Sequence, residues 1–237
     1  MRLLVLAGGF GTRLKTAVGE VPKALAPVGH VPFLQLQIEH WLDQGLRNFT
    51  FLLHHQAEQI IQFLKLQQMG PLRKCEVDWI IEPRPMDTGG AIAHAVKEFG
   101  LTKNLLITNA DTWLGSGIRE LISSAPMSMA VVNLRDVSRY GQVCIDQRNQ
   151  VKAFIEKTGQ KNAGWINAGL YHLPAELFTN WNGQPFSLER ELFTTLVQSG
   201  GLRAVRLQTE FIDIGIPADY RSFCLWFGTG RQTILCN

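Results

Sequence analysis

A short apolar run, Leu3-Leu4-Val5-Leu6, leads straight into Ala7-Gly8-Gly9-Phe10-Gly11-Thr12-Arg13-Leu14. A polyphosphate needs backbone N–H donors close to its oxygens, and side chains obstruct that approach. Gly8, Gly9 and Gly11 remove the obstruction and permit unusual backbone angles. Arg13 adds a delocalised charge whose fork geometry suits bidentate contact with phosphate oxygens. The spacing is not GxGxxG, because Leu14 stands where the last glycine would be, and no Gly-Lys-Ser/Thr follows to make a Walker A loop. Further on, Val21-Pro22-Lys23-Ala24-Leu25-Ala26-Pro27 sets one lysine in a segment stiffened by two prolines, which lowers the entropy cost of aiming it. The chemistry on offer is the binding of an anionic, phosphate-bearing ligand.

Carboxylates form the second candidate group. Leu106-Ile107-Thr108-Asn109-Ala110-Asp111 is an apolar strand ending in an acid, and strand C-termini are where open α/β sheets place ligands. Phe211-Ile212-Asp213-Ile214-Gly215-Ile216-Pro217 places another acid among apolar neighbours. An isolated aspartate is ordinarily a turn former or a cap. Two of them inside apolar stretches are costly to bury unless a cation compensates, and Mg²⁺ suits a site of one or two carboxylates plus phosphates and waters. His54 and His55, which follow a strand, read as structural or solvated.

The elements that must position these residues alternate in type. Strands are predicted over Leu3–Leu6, Phe49–Leu53, Val77–Ile81 and Leu105–Thr108, with helices over Pro32–Gly45, Ala57–Leu66 and Gly90–Phe99 between them. This order predicts a parallel sheet with helices on both faces. After Asp111 the pattern becomes mostly strands: Met129–Leu134, Gln142–Ile145, Val151–Ile155, Ile166–His172 and Leu202–Leu207, with one helix near Ser187–Gln198. The expected architecture is a Rossmann-like three-layer α/β/α sandwich with a mostly parallel mixed sheet and a small second lobe. It is read as one domain, residues 1–111 forming one half and 112–237 the other.

Composition narrows the function. The chain has 237 residues, 46% hydrophobic and 18% charged, enough for one well-cored α/β domain. A net charge of only +3 with no basic run gives no footprint for nucleic acid. Cys75, Cys144, Cys224 and Cys236 are far apart and form no CxxC pair, which argues against a zinc site or a disulfide framework. The N-terminal apolar run is too short for a signal peptide or a membrane span. The expectation is a cytoplasmic protein that meets no membrane.

Gly8-Gly9-Phe10-Gly11-Thr12-Arg13-Leu14 followed by Pro22-Lys23 resembles the signature of the sugar-1-phosphate nucleotidyltransferases. Later segments resemble that family in the same order along nearly the whole chain, and the short bacterial enzymes that make GDP-heptose are the most similar group. The resemblance implies that Leu6, Ala7, Gly8, Gly9, Gly11, Thr12, Arg13 and Lys23 bind nucleotide. Glu82-Pro83-Arg84-Pro85-Met86-Asp87-Thr88-Gly89-Gly90 resembles the segment that meets the base. There Gly89 and Gly90 would let backbone approach a flat ring and Thr88 would cap a helix. Glu82 either accepts from a guanine edge or is a solvated strand-end carboxylate. Asp87 and Ala110 stand where the family more usually has glycine.

The resemblance also makes Asp111 and Asp213 the ligands of one Mg²⁺. It puts Asn109, Glu156, Lys157, Asn167 and Gly169 on the sugar phosphate, and gives Arg13, Lys23 and Asp111 the catalytic roles. The implied reaction is an in-line attack of a sugar-1-phosphate oxygen on the α-phosphorus of a nucleoside triphosphate, releasing pyrophosphate without a protein nucleophile. GTP and D-glycero-α-D-manno-heptose 1-phosphate are the expected substrates. The alternatives are a mannose-1-phosphate guanylyltransferase or an N-acetylmuramate-1-phosphate uridylyltransferase. The implied setting is nucleotide-sugar biosynthesis for a lipopolysaccharide, capsule or S-layer glycan, and a homodimer is compatible with it. A non-catalytic nucleotide-sugar sensor would be expected to have lost Arg13, Lys23 or an aspartate, and a Rossmann dehydrogenase would need an acid where Pro22-Lys23 stands.

Overall fold

Apolar runs of strand length separated by amphipathic stretches fold as their periodicity dictates. The computed structural model describes residues 1–157 and 159–230, which leaves Cys236 outside the described residues. The described chain separates into two compact units, one of residues 1–85, 108–113 and 212–230, the other of 86–107 and 114–211.

In the first unit the strands Arg2–Leu6, Asn48–Leu53 and Glu76–Ile81 form a parallel ladder. Leu3 pairs with Phe49 and Leu6 with Leu52, while Asn48 pairs with Glu76 and Leu53 with Ile81. The ladder is prolonged past the strands by Ala7 N–H to Leu52 O (2.9 Å) and Glu82 N–H to Leu53 O (2.7 Å). The loops beginning at Gly8, His54 and Glu82 therefore leave from one end of the ladder, the C-terminal end. Helices Phe33–Asp43 and Ala57–Gln68 supply the crossovers, burying Phe33, Leu34, Ile38 and Trp41 from the first and Ile60, Ile61 and Leu64 from the second. Both helices match the sequence expectation, because their apolar residues recur at i, i+3 and i+4.

The unit is completed by chain that returns late. Trp113, Ile214, Tyr220, Phe223 and Trp226 join Leu14, Val28, Phe33 and Leu36 in one buried cluster. The helix Pro217–Gly228 starts with proline at its first turn, where the missing N–H costs nothing.

The second unit is mixed. Gly164–Pro174 runs antiparallel to Ser128–Leu134, which is in turn parallel to Arg203–Leu207, and Gln142–Ile145 pairs antiparallel with Val151–Ile155. Its first helix, Asp87–Glu98, buries Ile92, Ala95 and Val96. The expected helix near 187–198 is a wide turn, Leu188–Phe193, continuing into the α-helical Thr194–Gln198, and Ser187 caps it by accepting the Arg190 N–H. The α/β class with a mostly parallel, mixed sheet holds. No described helix is long and apolar enough to cross a membrane, and Cys75, Cys144 and Cys224 are free thiols.

Candidate active site

The glycine loop in the first unit opens a cleft of about 270 Å³, bounded by residues 9–13, Pro22–Ala24, Ala110–Asp111 and Gly215. Leu6 and Ala7 form its floor. Two of its glycines have separate reasons to be glycine. Gly11 has φ +60, a backbone state that disfavours side chains, and a Cβ there would also press on Lys23. A Cβ on Gly8 would lie 2.7 Å from Glu82 Oε1 and 3.2 Å from His54. The buried Glu82 side chain is thus held directly against the loop backbone. Thr12 and Arg13 are exposed at the rim.

Lys23 is the hub of the cleft. Its Nζ lies 2.5 Å from Asp111 Oδ2 and 3.7 Å from Asp213 Oδ1, with only 13% of the lysine side chain exposed. A Cβ on Gly215 would stand 2.8 Å from Asp213 Oδ1 and 3.1 Å from Lys23 Nζ, so the ion cluster depends on the missing side chain. Gly215 N–H also donates to Asp213 Oδ1 at 2.7 Å. Burial, followed by the neighbouring Asp111 charge, pushes the Asp213 carboxyl above its ordinary pKa, with Lys23 opposing the shift. Two like charges this close, one of them largely desolvated, favour any added cation.

Each of these residues has an apolar anchor beside it. Leu14 follows Arg13, Ala24 follows Lys23, Trp113 stands two after Asp111 and Ile214 follows Asp213; all four anchors are buried. The two aspartate segments are bonded directly, Ile214 N–H to Asp111 O at 2.9 Å. Ala110, buried where the family more usually has glycine, donates its N–H to Leu6 O at 3.0 Å and ties the Asp111 turn to the first strand.

A further supporting residue, Gln37, was not anticipated from the sequence. Only 2% exposed, it donates from Nε2 to Thr112 O (2.9 Å) and Asn109 O (3.4 Å), bracketing Asp111 from behind. The available signal was a polar residue on the apolar face of the Phe33–Asp43 helix. His54, read as structural or solvated, donates from Nδ1 to Glu82 O (3.2 Å), and Phe10 packs against both His54 and His55.

In the second unit the Thr-Gly-Gly segment lies in the first turn of the helix Asp87–Glu98. Thr88 does not cap its helix. The helix boundary falls at Met86, with no side-chain cap, and Thr88 lies inside the first turn, where its hydroxyl donates to Glu189 (2.8 Å) and accepts from Leu188 N–H (2.9 Å). Gly89 lies against the Phe186 phenyl, 2.2 Å from where a Cβ would be, and its N–H donates to Phe186 O at 3.0 Å. Asp87 takes a φ of +58, a conformation in which glycine would be relaxed and in which aspartate is tolerated. Its carboxylate accepts from Thr88 N–H at 2.8 Å and pairs with Arg190 at 2.7 Å.

Asn167 and Gly169 share a bulge in the strand Gly164–Pro174, where the register shifts between Asn167 and Tyr171 and Gly169 has φ +70. Gly169 N–H donates to Asn167 Oδ1 at 2.9 Å. Glu156 and Lys157 are exposed just past the strand Val151–Ile155. Asn109 is partly buried at the end of Asn104–Asn109.

A divalent cation fits the observed donor set. Two hard carboxylate oxygens from separate segments already converge on a single cationic centre, and their number suits a hard divalent cation completed by other oxygen ligands. Among the described residues no group of three or more His, Cys, Asp or Glu makes a protein-only cage.

The chain as a whole is similar to known proteins. A D-glycero-alpha-D-manno-heptose 1-phosphate guanylyltransferase of Campylobacter jejuni is 32% identical over 95% of this chain and 99% of its own length. The catalytic subunit beta of mannose-1-phosphate guanylyltransferase from Drosophila melanogaster is 29% identical over 98% of this chain, which spans 64% of that protein. The crystal structure of HddC from Yersinia pseudotuberculosis has a TM-score of 0.84 at 33% identity, covering 95% of this chain and 99% of its own, and HddC has also been solved with GMP-PN. The family described as nucleotidyl transferase matches residues 2–230. The chain belongs to that family and is a sugar-1-phosphate nucleotidyltransferase.

Proposed function

We propose that this enzyme transfers GMP from GTP to D-glycero-α-D-manno-heptose 1-phosphate, giving GDP-heptose and pyrophosphate. The observation that carries the reading is the Lys23–Asp111–Asp213 cluster at the mouth of a glycine-lined cleft. Its likeness along full length to the Campylobacter jejuni guanylyltransferase supports the choice of base and sugar.

In this reading Gly8, Gly9, Gly11 and Thr12 present backbone donors to the triphosphate, with Leu6 and Ala7 below them. Arg13 neutralises charge on the departing pyrophosphate, and Lys23 aligns the α-phosphate. Asp111 and Asp213 would hold Mg²⁺, which supplies charge neutralisation on the phosphates when bound. Glu82, Thr88 and Gly89 serve the base. Asn109, Glu156, Lys157, Asn167 and Gly169 serve the sugar phosphate, with Lys157 opposing the charge of the attacking phosphate. Both halves of the chain act as one nucleotidyltransferase domain in the cytoplasm, supplying an activated sugar for surface glycan assembly.

A panel of ATP, GTP, UTP and dTTP against heptose, mannose and N-acetylmuramate 1-phosphates, scored by pyrophosphate release, tests this. GTP with the heptose phosphate is expected to give the highest kcat/KM. Turnover with UTP alone would remove the guanylyl assignment, and a preference for mannose 1-phosphate would replace the sugar.

A further inference from the structure

Outside the phosphate cleft, a connected polar cluster in the second unit is centred on Glu189. Three hydroxyls donate to its carboxylate. Tyr171 Oη reaches Oε1 at 3.3 Å, and Thr88 Oγ1 and Ser187 Oγ reach Oε2 at 2.8 and 3.3 Å. Every one of these hydroxyls also accepts a hydrogen bond. Asn167 Nδ2 donates to Tyr171 Oη at 2.8 Å, Leu188 N–H to Thr88 at 2.9 Å and Arg190 N–H to Ser187 at 3.2 Å.

The proton direction along this chain is set at Glu189, because an ionised carboxylate only accepts. Tyr171, having one proton, spends it on Glu189 and must accept from Asn167. The Asn167 amide is therefore fixed with its NH₂ toward Tyr171 and its Oδ1 on Gly169 N–H. By valence, the second Nδ2 hydrogen and the second Oδ1 lone pair remain for a ligand.

From this arrangement we infer that Glu189 is a positioning residue for sugar recognition: through Tyr171 it fixes the Asn167 amide in the orientation that meets the sugar hydroxyls. The inference rests on the reading of Asn167 as a sugar contact. The same carboxylate holds Thr88, so one residue orders both the Asn167 bulge and the Thr-Gly-Gly turn.

Tyr171→Phe is the cleanest variant. The ring is fully buried and packs edge-on against Phe193, with centroids 5.0 Å apart, so removing the hydroxyl preserves the packing. With GTP and the heptose 1-phosphate, or mannose 1-phosphate should that be the better substrate, KM for the sugar phosphate is expected to rise about tenfold. KM for GTP should stay within about twofold. Glu189→Gln should do at least as much, because its NH₂ group would face hydroxyls already committed to donating. The double variant Asn167→Ala/Tyr171→Phe should be no worse than Asn167→Ala alone, since the hydroxyl acts only through the amide. Additive losses in that cycle, or an unchanged sugar KM in Tyr171→Phe beside a raised one in Asn167→Ala, would overturn the inference. An unchanged sugar KM in Asn167→Ala itself would instead remove the sugar contact on which the inference rests.

Discussion

Arg13 is exposed and Lys23 is nearly buried, and that difference predicts different consequences of losing each. Arg13 has no packing role, so Arg13→Ala should leave thermal unfolding unchanged. A charged contact made mainly in the transition state is worth about 3 kcal/mol, so turnover should drop by roughly a hundredfold. Stopped-time pyrophosphate release beside a melting curve checks both halves; near-normal kcat would exclude the role. Gly8 behaves in the opposite way. Gly8→Ala drives a methyl into the Glu82 carboxylate and against His54, so the loop itself must move. Loss of GTP binding in calorimetry with a preserved far-UV spectrum is expected, and unaltered GTP affinity would show that the loop yields. The cleft lined by Gly9, Gly11 and Arg13 was legible as a place because a glycine-rich turn after an apolar strand leaves open space beside the backbone. The pairing of Lys23 with both aspartates was not, since nothing in three separate stretches of sequence states that they meet.

At the scale of elements, the predicted strands and helices of the first unit were readable because their periodicity is strong and tertiary packing reinforces it. The Thr88 turn was misread for a physical reason. A Thr ahead of a helical pattern has two uses, capping or reaching a neighbour, and only the segment around Phe186–Glu189 decides between them. Gln37 was missed similarly: its value lies in two carbonyls far along the chain, at Asn109 and Thr112. Gln37→Leu keeps the size and apolar packing but removes both bonds. It should raise the divalent-metal concentration at half-maximal rate severalfold and cost about 2 kcal/mol of stability, because each of the two net hydrogen bonds is worth about 1 kcal/mol. A metal titration identical to that of the unsubstituted enzyme would show that the Asp111 turn holds without it.

On the whole-molecule scale, order along the chain and order in space part company. The first unit begins at the N-terminus but closes only when residues 108–113 and 212–230 return to it. Those late segments bring Trp113, Ile214, Tyr220, Phe223 and Trp226 onto Leu14 and Phe33, and they also bring Asp111 and Asp213 to Lys23. Core closure and assembly of the carboxylate cluster are thus the same event. Burying four large side chains contributes on the order of 1.5–3 kcal/mol each. Ending the chain after Leu207 removes Ile214, Tyr220, Phe223 and Trp226, a loss of roughly 6–12 kcal/mol that rivals the total stability of an ordinary domain. Such a fragment should lack a cooperative melting transition and a fixed near-UV spectrum, and should bind no GTP. A milder version separates packing from chemistry. Phe223, fully buried and in ring contact with Phe33, Trp113 and Trp226, is not among the residues that line the cleft. Phe223→Ala should cost about 3–5 kcal/mol. At a temperature where the variant is still folded, its divalent-metal and GTP requirements should stay close to those of the parent if the aspartates are positioned by their own backbone bond. If both requirements deteriorate together in the folded variant, the C-terminal helix itself sets the aspartate geometry, and the cluster depends on the core beneath it rather than on the link between Asp111 and Ile214.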